Sequence, residues 1–145
     1  MQQTLPMSPD QAACNCFALR QAARHVTQIY DRHLAEEGLR ATQYSVLAKL
    51  NRLEGVSINE LAKSMVMDRT TLGRAIRPLQ RDGLLTIGAG DDGRTRSLRL
   101  TANGEARLKA AKAKWRAAQQ EFETAFGARD ADKLRTTLRR VIAKT

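Results

Sequence analysis

A mainly helical chain with one small antiparallel β-wing, a winged helix-turn-helix head plus dimerisation helices, is the fold class this sequence predicts. Three observations predict it. Aromatic residues make up only 4% of the chain and prolines number three, while Ala, Leu, Arg and Lys abound, a composition that favours helix. Two capped helical segments follow one another closely between Ser57 and Asp82. Directly after them the apolar pattern changes from helical spacing to strand-like alternation around a Gly/Asp-rich turn.

In chain order, Cys16, Leu19, Ala23, Val26 and Tyr30 recur at alternating spacings of three and four, which predicts one long helix from about Gln11 to Glu36, ending near Gly38. Tyr44, Leu47 and Leu50 predict a second helix over 42–53, with Thr42 as its N-cap and Gly55 closing it. Ser57-Ile58-Asn59-Glu60 has capping-box form: the serine oxygen accepts from the Glu60 N–H and the glutamate reaches back. It opens a short helix carrying Ile58, Leu61 and Ala62 as far as about Ser64. Asp68 can cap the next helix, whose apolar face is Leu72, Ala75, Ile76 and Leu79, and Asp82-Gly83 stops it. Pro78 removes one hydrogen bond late in that helix, where a bend is tolerable.

Leu84-Leu85-Thr86-Ile87, the turn around Asp91-Asp92-Gly93, and the alternating run Arg94 to Leu100 read as two strands of a hairpin. So small a ribbon must pack on the preceding helices. Helical spacing returns from Thr101 through Leu108, Ala111, Trp115, Ala118 and Phe122, and a last helix beyond Gly127 holds Leu134, Leu138 and Val141. Trp115 and Phe122 are expected in an interface or inter-helix core.

With 145 residues the chain has room for one domain: a head at 42–101 and dimerisation helices at 11–37 and 102–145. A net charge of +10 points to a polyanionic partner, nucleic acid first, because each neutralised phosphate releases condensed counterions. A membrane surface would need a basic amphipathic anchor or a lipidation site, and neither is visible. The first ten residues lack the form of a signal peptide, so a cytoplasmic location is expected. Cys14 and Cys16, two apart, rule out a structural disulfide framework.

In a winged helix-turn-helix the amino end of the second helix meets base edges in the major groove. Arg69, Thr70, Thr71 and Arg74 are therefore the candidate base readers; arginine donates two parallel bonds to guanine, and threonine offers a hydroxyl and a methyl. Arg77 and Arg81, further along, are assigned to phosphates. In the wing, Arg94 is placed to enter the minor groove with Asp92 orienting it, and Arg96 lies beside them, with Arg99 a weaker candidate. A charged helix and a polar hairpin are ordinarily just solvated surface. Here seven arginines and no lysine fall between Asp68 and Arg99, which suits planar phosphate and base recognition better than general solubility.

The sequence resembles the MarR family of multiple-antibiotic-resistance-type regulators from Cys14 to the last helix. The stretches that carry the resemblance are Gly38-Leu39, Gln43-Tyr44, Ile58-Asn59-Glu60-Leu61-Ala62, Met67-Asp68-Arg69-Thr70-Thr71-Leu72, Leu79-Gln80-Arg81-Asp82-Gly83-Leu84, Asp92-Gly93-Arg94 and Leu100-Thr101-Ala102-Asn103-Gly104. It implies a homodimer with interlocked terminal helices and two heads on a pseudo-palindromic stretch of double-stranded DNA. It also implies a regulator, typically a repressor, released by a small aromatic ligand or by thiol oxidation. Cys16, Tyr30 and Gln43-Tyr44 match in spacing the organic-peroxide-sensing branch, where a first-helix thiol reacts and a tyrosine of the other subunit contacts it. Arg20 departs from that branch, which has a second tyrosine there.

For the cysteine pair three readings stay open: small core residues, a redox switch at Cys16 with Cys14 and Tyr30, or a metal site. The redox reading gains from Arg20, one turn away, which favours a thiolate. On a continuous helix the two side chains point roughly 200° apart, which disfavours an internal disulfide or a zinc pair. His25, His33 and Tyr44 are weaker candidates for an effector pocket. No phosphate loop, metal-ligand cluster or nucleophile–base pairing is present, so neither enzyme activity, a metal nor a cofactor is expected. The competing function is that of a sequence-tolerant architectural DNA binder.

Overall fold

The computed structural model describes residues 5–53, 55–90, 93 and 96–145. Helix α1 (Pro9–Ala13) and helix α2 (Asn15–Leu34) are separated at Cys14, where the single long helix expected from residue 11 is interrupted. Cys14 is extended (ψ 112°), and its Sγ accepts from the Phe17 N–H at 3.4 Å, so it acts as the N-cap of α2. Cys14 and Cys16 therefore do not share one continuous helix, and the expected separation of roughly 200° between their side chains does not apply.

A 3₁₀ turn (Ala35–Glu37) and the left-handed Gly38 lead into α3 (Ala41–Asn51). Thr42 is not its N-cap; it lies inside the first turn, and Arg40 holds the cap position. The orphan donors are satisfied from elsewhere: Asp31 of α2 accepts from the Ala41 N–H at 2.7 Å, and Gln43 accepts from the Arg40 N–H at 3.0 Å. After α3 comes a short strand, β1 (Val56–Ser57), not anticipated from the sequence, then α4 (Ile58–Met65) and α5 (Arg69–Arg81). The capping box of α4 forms as expected, with Ser57 Oγ accepting from the Glu60 N–H at 3.1 Å and Glu60 accepting from the Ser57 N–H at 2.9 Å. Pro78 is accommodated inside α5, which runs on to Arg81.

Strands β2 (Leu85–Ala89) and β3 (Arg96–Leu100) form the hairpin, and β1 adds to the free edge of β3, giving an antiparallel sheet of order β1-β3-β2. Leu98 faces Val56 on one side and Ile87 on the other. The long α6 (Ala102–Phe126) packs along α2, and α7 (Ala128–Lys144) folds back on it after Gly127.

The core sits in the head. Leu47, Leu50, Leu61, Leu72, Leu79, Leu85 and Leu98 are fully buried, and Leu34 and Ala111 join it from the long helices. The terminal helices are different. Leu134, Leu138, Val141 and Ile142 of α7 stay 36–62% exposed, and Leu19 of α2 is 44% exposed. Among the described residues no helix is long and apolar enough to cross a membrane.

Candidate nucleic-acid interface

Helices α4 and α5 meet through Val66-Met67-Asp68. Val66 takes the left-handed conformation (φ 55°, ψ 47°) and the Met67 N–H returns to the Ala62 carbonyl at 2.9 Å, which closes α4 abruptly. Asp68 then starts α5 as the sequence predicts, accepting from the Thr71 N–H at 2.7 Å and from the Thr71 hydroxyl at 2.9 Å. Those two bonds, the backbone one first, hold the Asp68 carboxyl below its ordinary pKa, so the start of α5 carries a fixed negative charge.

One stripe of α5, Leu72, Ile76 and Leu79, is buried against the head. At about 100° per residue, Thr70, Arg74, Arg77 and Arg81 then fall within roughly 60° of one another on the opposite side. All four are exposed. Arg69 and Thr71, also exposed, flank this stripe at the amino end. The Thr71 hydroxyl hydrogen is committed to Asp68, so this side chain offers a duplex its methyl and an acceptor oxygen. Arg81 leans on Asp82 at 3.3 Å. Among the described residues, no carboxylate lies within ion-pair distance of Arg69, Arg74 or Arg77.

In the wing, Arg96 pairs with Ala89, the pair next to the turn of the hairpin, and is exposed. Asp92 and Arg94, the other two wing candidates, lie outside the described residues. Arg99 sits lower: a Cβ built on Gly55 would stand 2.8 Å from its Nη2, so its guanidinium lies over the loop between α3 and β1 and away from the tip.

The wing is anchored to α5 and α6 by a junction the sequence reading did not single out. Thr101 donates its hydroxyl to the Gly83 carbonyl at 2.6 Å and its N–H to the Leu84 carbonyl at 3.1 Å, while its Oγ1 accepts from the Gly104 N–H at 3.0 Å. One residue thus ties the end of α5, the end of the wing and the start of α6.

Behind the helix-turn-helix, an open groove of about 1070 Å³ runs between α3, the end of α4 and α6. Tyr44 and Trp115 stack in it with centroids 6.1 Å apart, and among the described residues Lys49, Arg52, Lys109 and Lys112 line it with one acid, Glu105. Burial raises the Tyr44 hydroxyl pKa against the opposing pull of Arg116. The spacing of Lys109 and Lys112 on one side of α6 was the available signal for this basic wall. Of the weaker effector candidates only Tyr44 lies there; His25 is exposed on α2, and His33 faces Glu121 at 3.4 Å. Trp115 is half-buried against the head core, and Phe122 stacks on Phe126 with centroids 5.4 Å apart.

Cys14 and Cys16 are both exposed in the single chain, one at the cap and one in the first turn of α2. Tyr30 lies on the same helix fourteen residues beyond Cys16, roughly 21 Å at the helical rise, so any contact between them needs a second chain. Its hydroxyl donates to Gln119 of α6, and burial, with Glu123 adding to it, raises its pKa. Among the described residues there is no group of three or more His, Cys, Asp or Glu able to hold a metal ion.

A capped helix, a tight turn, a second capped helix with an arginine face and a three-stranded antiparallel wing define a winged helix-turn-helix DNA-binding protein. The MarR family profile matches residues 39–87. The solved M. tuberculosis transcriptional regulator MosR in complex with DNA is 36% identical, over 90% of this chain and 97% of that one, with a TM-score of 0.76. The chain belongs to the MarR family and is a transcriptional regulator, not an enzyme. Two more distant structures share the fold. CouR from Rhodococcus jostii RHA1 bound to p-coumaroyl-CoA is 24% identical over 95% of this chain and 98% of that one (TM-score 0.78). PcaV from Streptomyces coelicolor with its natural ligand is 23% identical over 96% and 99% (TM-score 0.81). No curated protein matches the chain.

Proposed function

We propose that the chain acts in the cytoplasm as a homodimeric repressor that reads a pseudo-palindromic operator with residues 42–101 and dimerises through 11–37 and 102–145. The observation that carries this is the outer stripe of α5. Thr70 and Arg74, with Arg69 and Thr71 beside them, read bases from the amino end of the helix; Arg77 and Arg81 hold phosphates; Asp92, Arg94 and Arg96 form the wing contact. The apolar row Leu134, Leu138, Val141 and Ile142 supports dimerisation, because it forms one side of α7 and stays 36–62% exposed in a single chain. MosR, crystallised with DNA, supports the same use of the head.

Release belongs to an effector. The groove beneath Tyr44 and Trp115 favours an aromatic anion, with stacking for the ring and four cationic side chains for the acid group. CouR with p-coumaroyl-CoA and PcaV with its natural ligand are precedents for ligand binding in this fold. Peroxide oxidation at Cys16, with Cys14 and Tyr30 as its partners, is the second route, favoured by two exposed thiols at a helix amino terminus.

Fluorescence anisotropy on a duplex selected from a randomised pool tests the central reading. Specific binding exceeds binding to a scrambled duplex by roughly a thousandfold or more. Arg69→Ala and Arg74→Ala narrow that ratio, whereas Arg77→Ala weakens binding to both duplexes alike. Equal affinity for selected and scrambled DNA makes the chain an architectural binder. Titration after addition of aromatic acids or of organic hydroperoxide, the latter repeated in Cys16→Ser, separates the two effector routes.

A further inference from the structure

We infer that Gly73 is a specificity-determining position of the reading helix, where bare backbone receives the 5-methyl group of a thymine. The inference rests on α5 lying in the major groove, and three observations carry it. First, Gly73 stands well inside α5, and its φ is not positive, so the freedom peculiar to glycine goes unused. Second, a Cβ built there meets nothing within 4 Å. At other glycines the reason is visible: Gly83 turns with φ 73°, and a Cβ on Gly104 would stand 2.0 Å from the Leu84 carbonyl oxygen; Gly88, in strand β2 and off the reading helix, shares the open surroundings of Gly73. Neither reason applies at Gly73, yet a glycine inside a helix is less stable than alanine.

Third, the helical neighbours of Gly73 at three and four residues' distance on the polar side are Thr70, Arg69 and Arg77, all exposed. Around the helix Gly73 falls between Arg69 and Arg77, about 40° from each. The missing side chain leaves room for about one methyl group on the helix surface, between the positions of two arginines whose contacts to the duplex would hold it against the base edges. Of the features on the major-groove edge, the thymine methyl is the apolar one that projects, and it is the one that fits a notch with no polar side chain of its own.

The test uses the full-length protein and a duplex that it selects from a randomised pool. Each thymine in the protected half-sites is replaced in turn by deoxyuridine, which removes only the methyl. At one position per half-site, uracil weakens wild-type binding about fourfold, the worth of one buried methyl. Gly73→Ala binds the thymine duplex roughly tenfold or more weakly, recovers at least fivefold of that on the uracil duplex, and melts no lower than wild type. Binding by Gly73→Ala within twofold of wild type, equal losses on both duplexes, or a lowered Tm overturns the inference. If Arg74→Ala still weakens the selected duplex, only the role of Gly73 has failed; if Arg74→Ala is also without effect, the placement of α5 has failed with it.

Discussion

Replacing Gly104 by alanine tests how the wing is joined to the long helix. The added Cβ would lie 2.0 Å from the Leu84 carbonyl oxygen and 3.0 Å from Cγ and Cδ1 of Leu100. Backbone cannot yield as a flexible side chain does, so the start of α6 must move away from the end of α5. Overpacking of this kind costs about 1–3 kcal/mol. The same shift stretches the bonds Thr101 makes to Gly83, Leu84 and Gly104, among them the N-cap of α6, for about another 1 kcal/mol. Alanine's better helix propensity returns somewhat under about 1 kcal/mol. The net loss is about 2–3 kcal/mol, roughly 6–10 °C in Tm for a chain of this length. Thermal melting by circular dichroism measures it, with Gly73→Ala as the control in which the same added methyl meets open space. A Gly104→Ala melting temperature equal to or above wild type would refute the packing argument.

Val66→Asn should stabilise the protein by about 1 kcal/mol, since Val66 is a β-branched residue held at φ 55° while 68% exposed, and asparagine tolerates that conformation; a lower Tm would contradict this. Asp68 has a depressed folded pKa, so the stabilisation from its ionised cap is complete above the ordinary aspartate range near pH 4 and is lost as pH falls through the folded value. The Tm advantage of wild type over Asp68→Asn should therefore be constant above about pH 5 and shrink as pH falls below about pH 4, and an advantage constant throughout would show that the charge is irrelevant. Leu72→Ala and Arg74→Ala, two residues apart on opposite faces of α5, should separate fold from recognition. The first loses about 2–5 kcal/mol of stability in melting experiments. The second leaves Tm within about 2 °C and lowers specific DNA affinity about 5- to 150-fold by anisotropy.

What the sequence made legible was local. The Ser57–Glu60 box and the Asp68 cap are each complete within four residues, and both form with the expected bonds. The period of Leu72, Ile76 and Leu79 fixed which side of α5 faces inward, and with it the side carrying Arg74 and Arg77. What escaped was non-local or too short to have a period. The start of α3 is capped by Asp31, ten residues upstream on another helix, while the local Thr42 had the more usual chemistry for the role. Strand β1 is two residues long and exists only because β3 offers an edge. The break at Cys14 left the apolar spacing from Cys16 onward undisturbed, and cysteine is not among the usual capping residues. The groove was hidden for the same reason, since Lys49 and Lys112 meet only through the packing of α3 on α6.

Dimethyl sulfate footprinting of the selected duplex addresses the central claim most directly, because the reagent methylates guanine N7 in the major groove and adenine N3 in the minor groove. With α5 of each subunit in a major groove, guanines should be protected at N7 in two patches about one helical turn apart, related by a dyad, and Arg74→Ala should restore methylation within them. Protection confined to adenine N3, or an unsymmetrical single patch indifferent to Arg74, would contradict it.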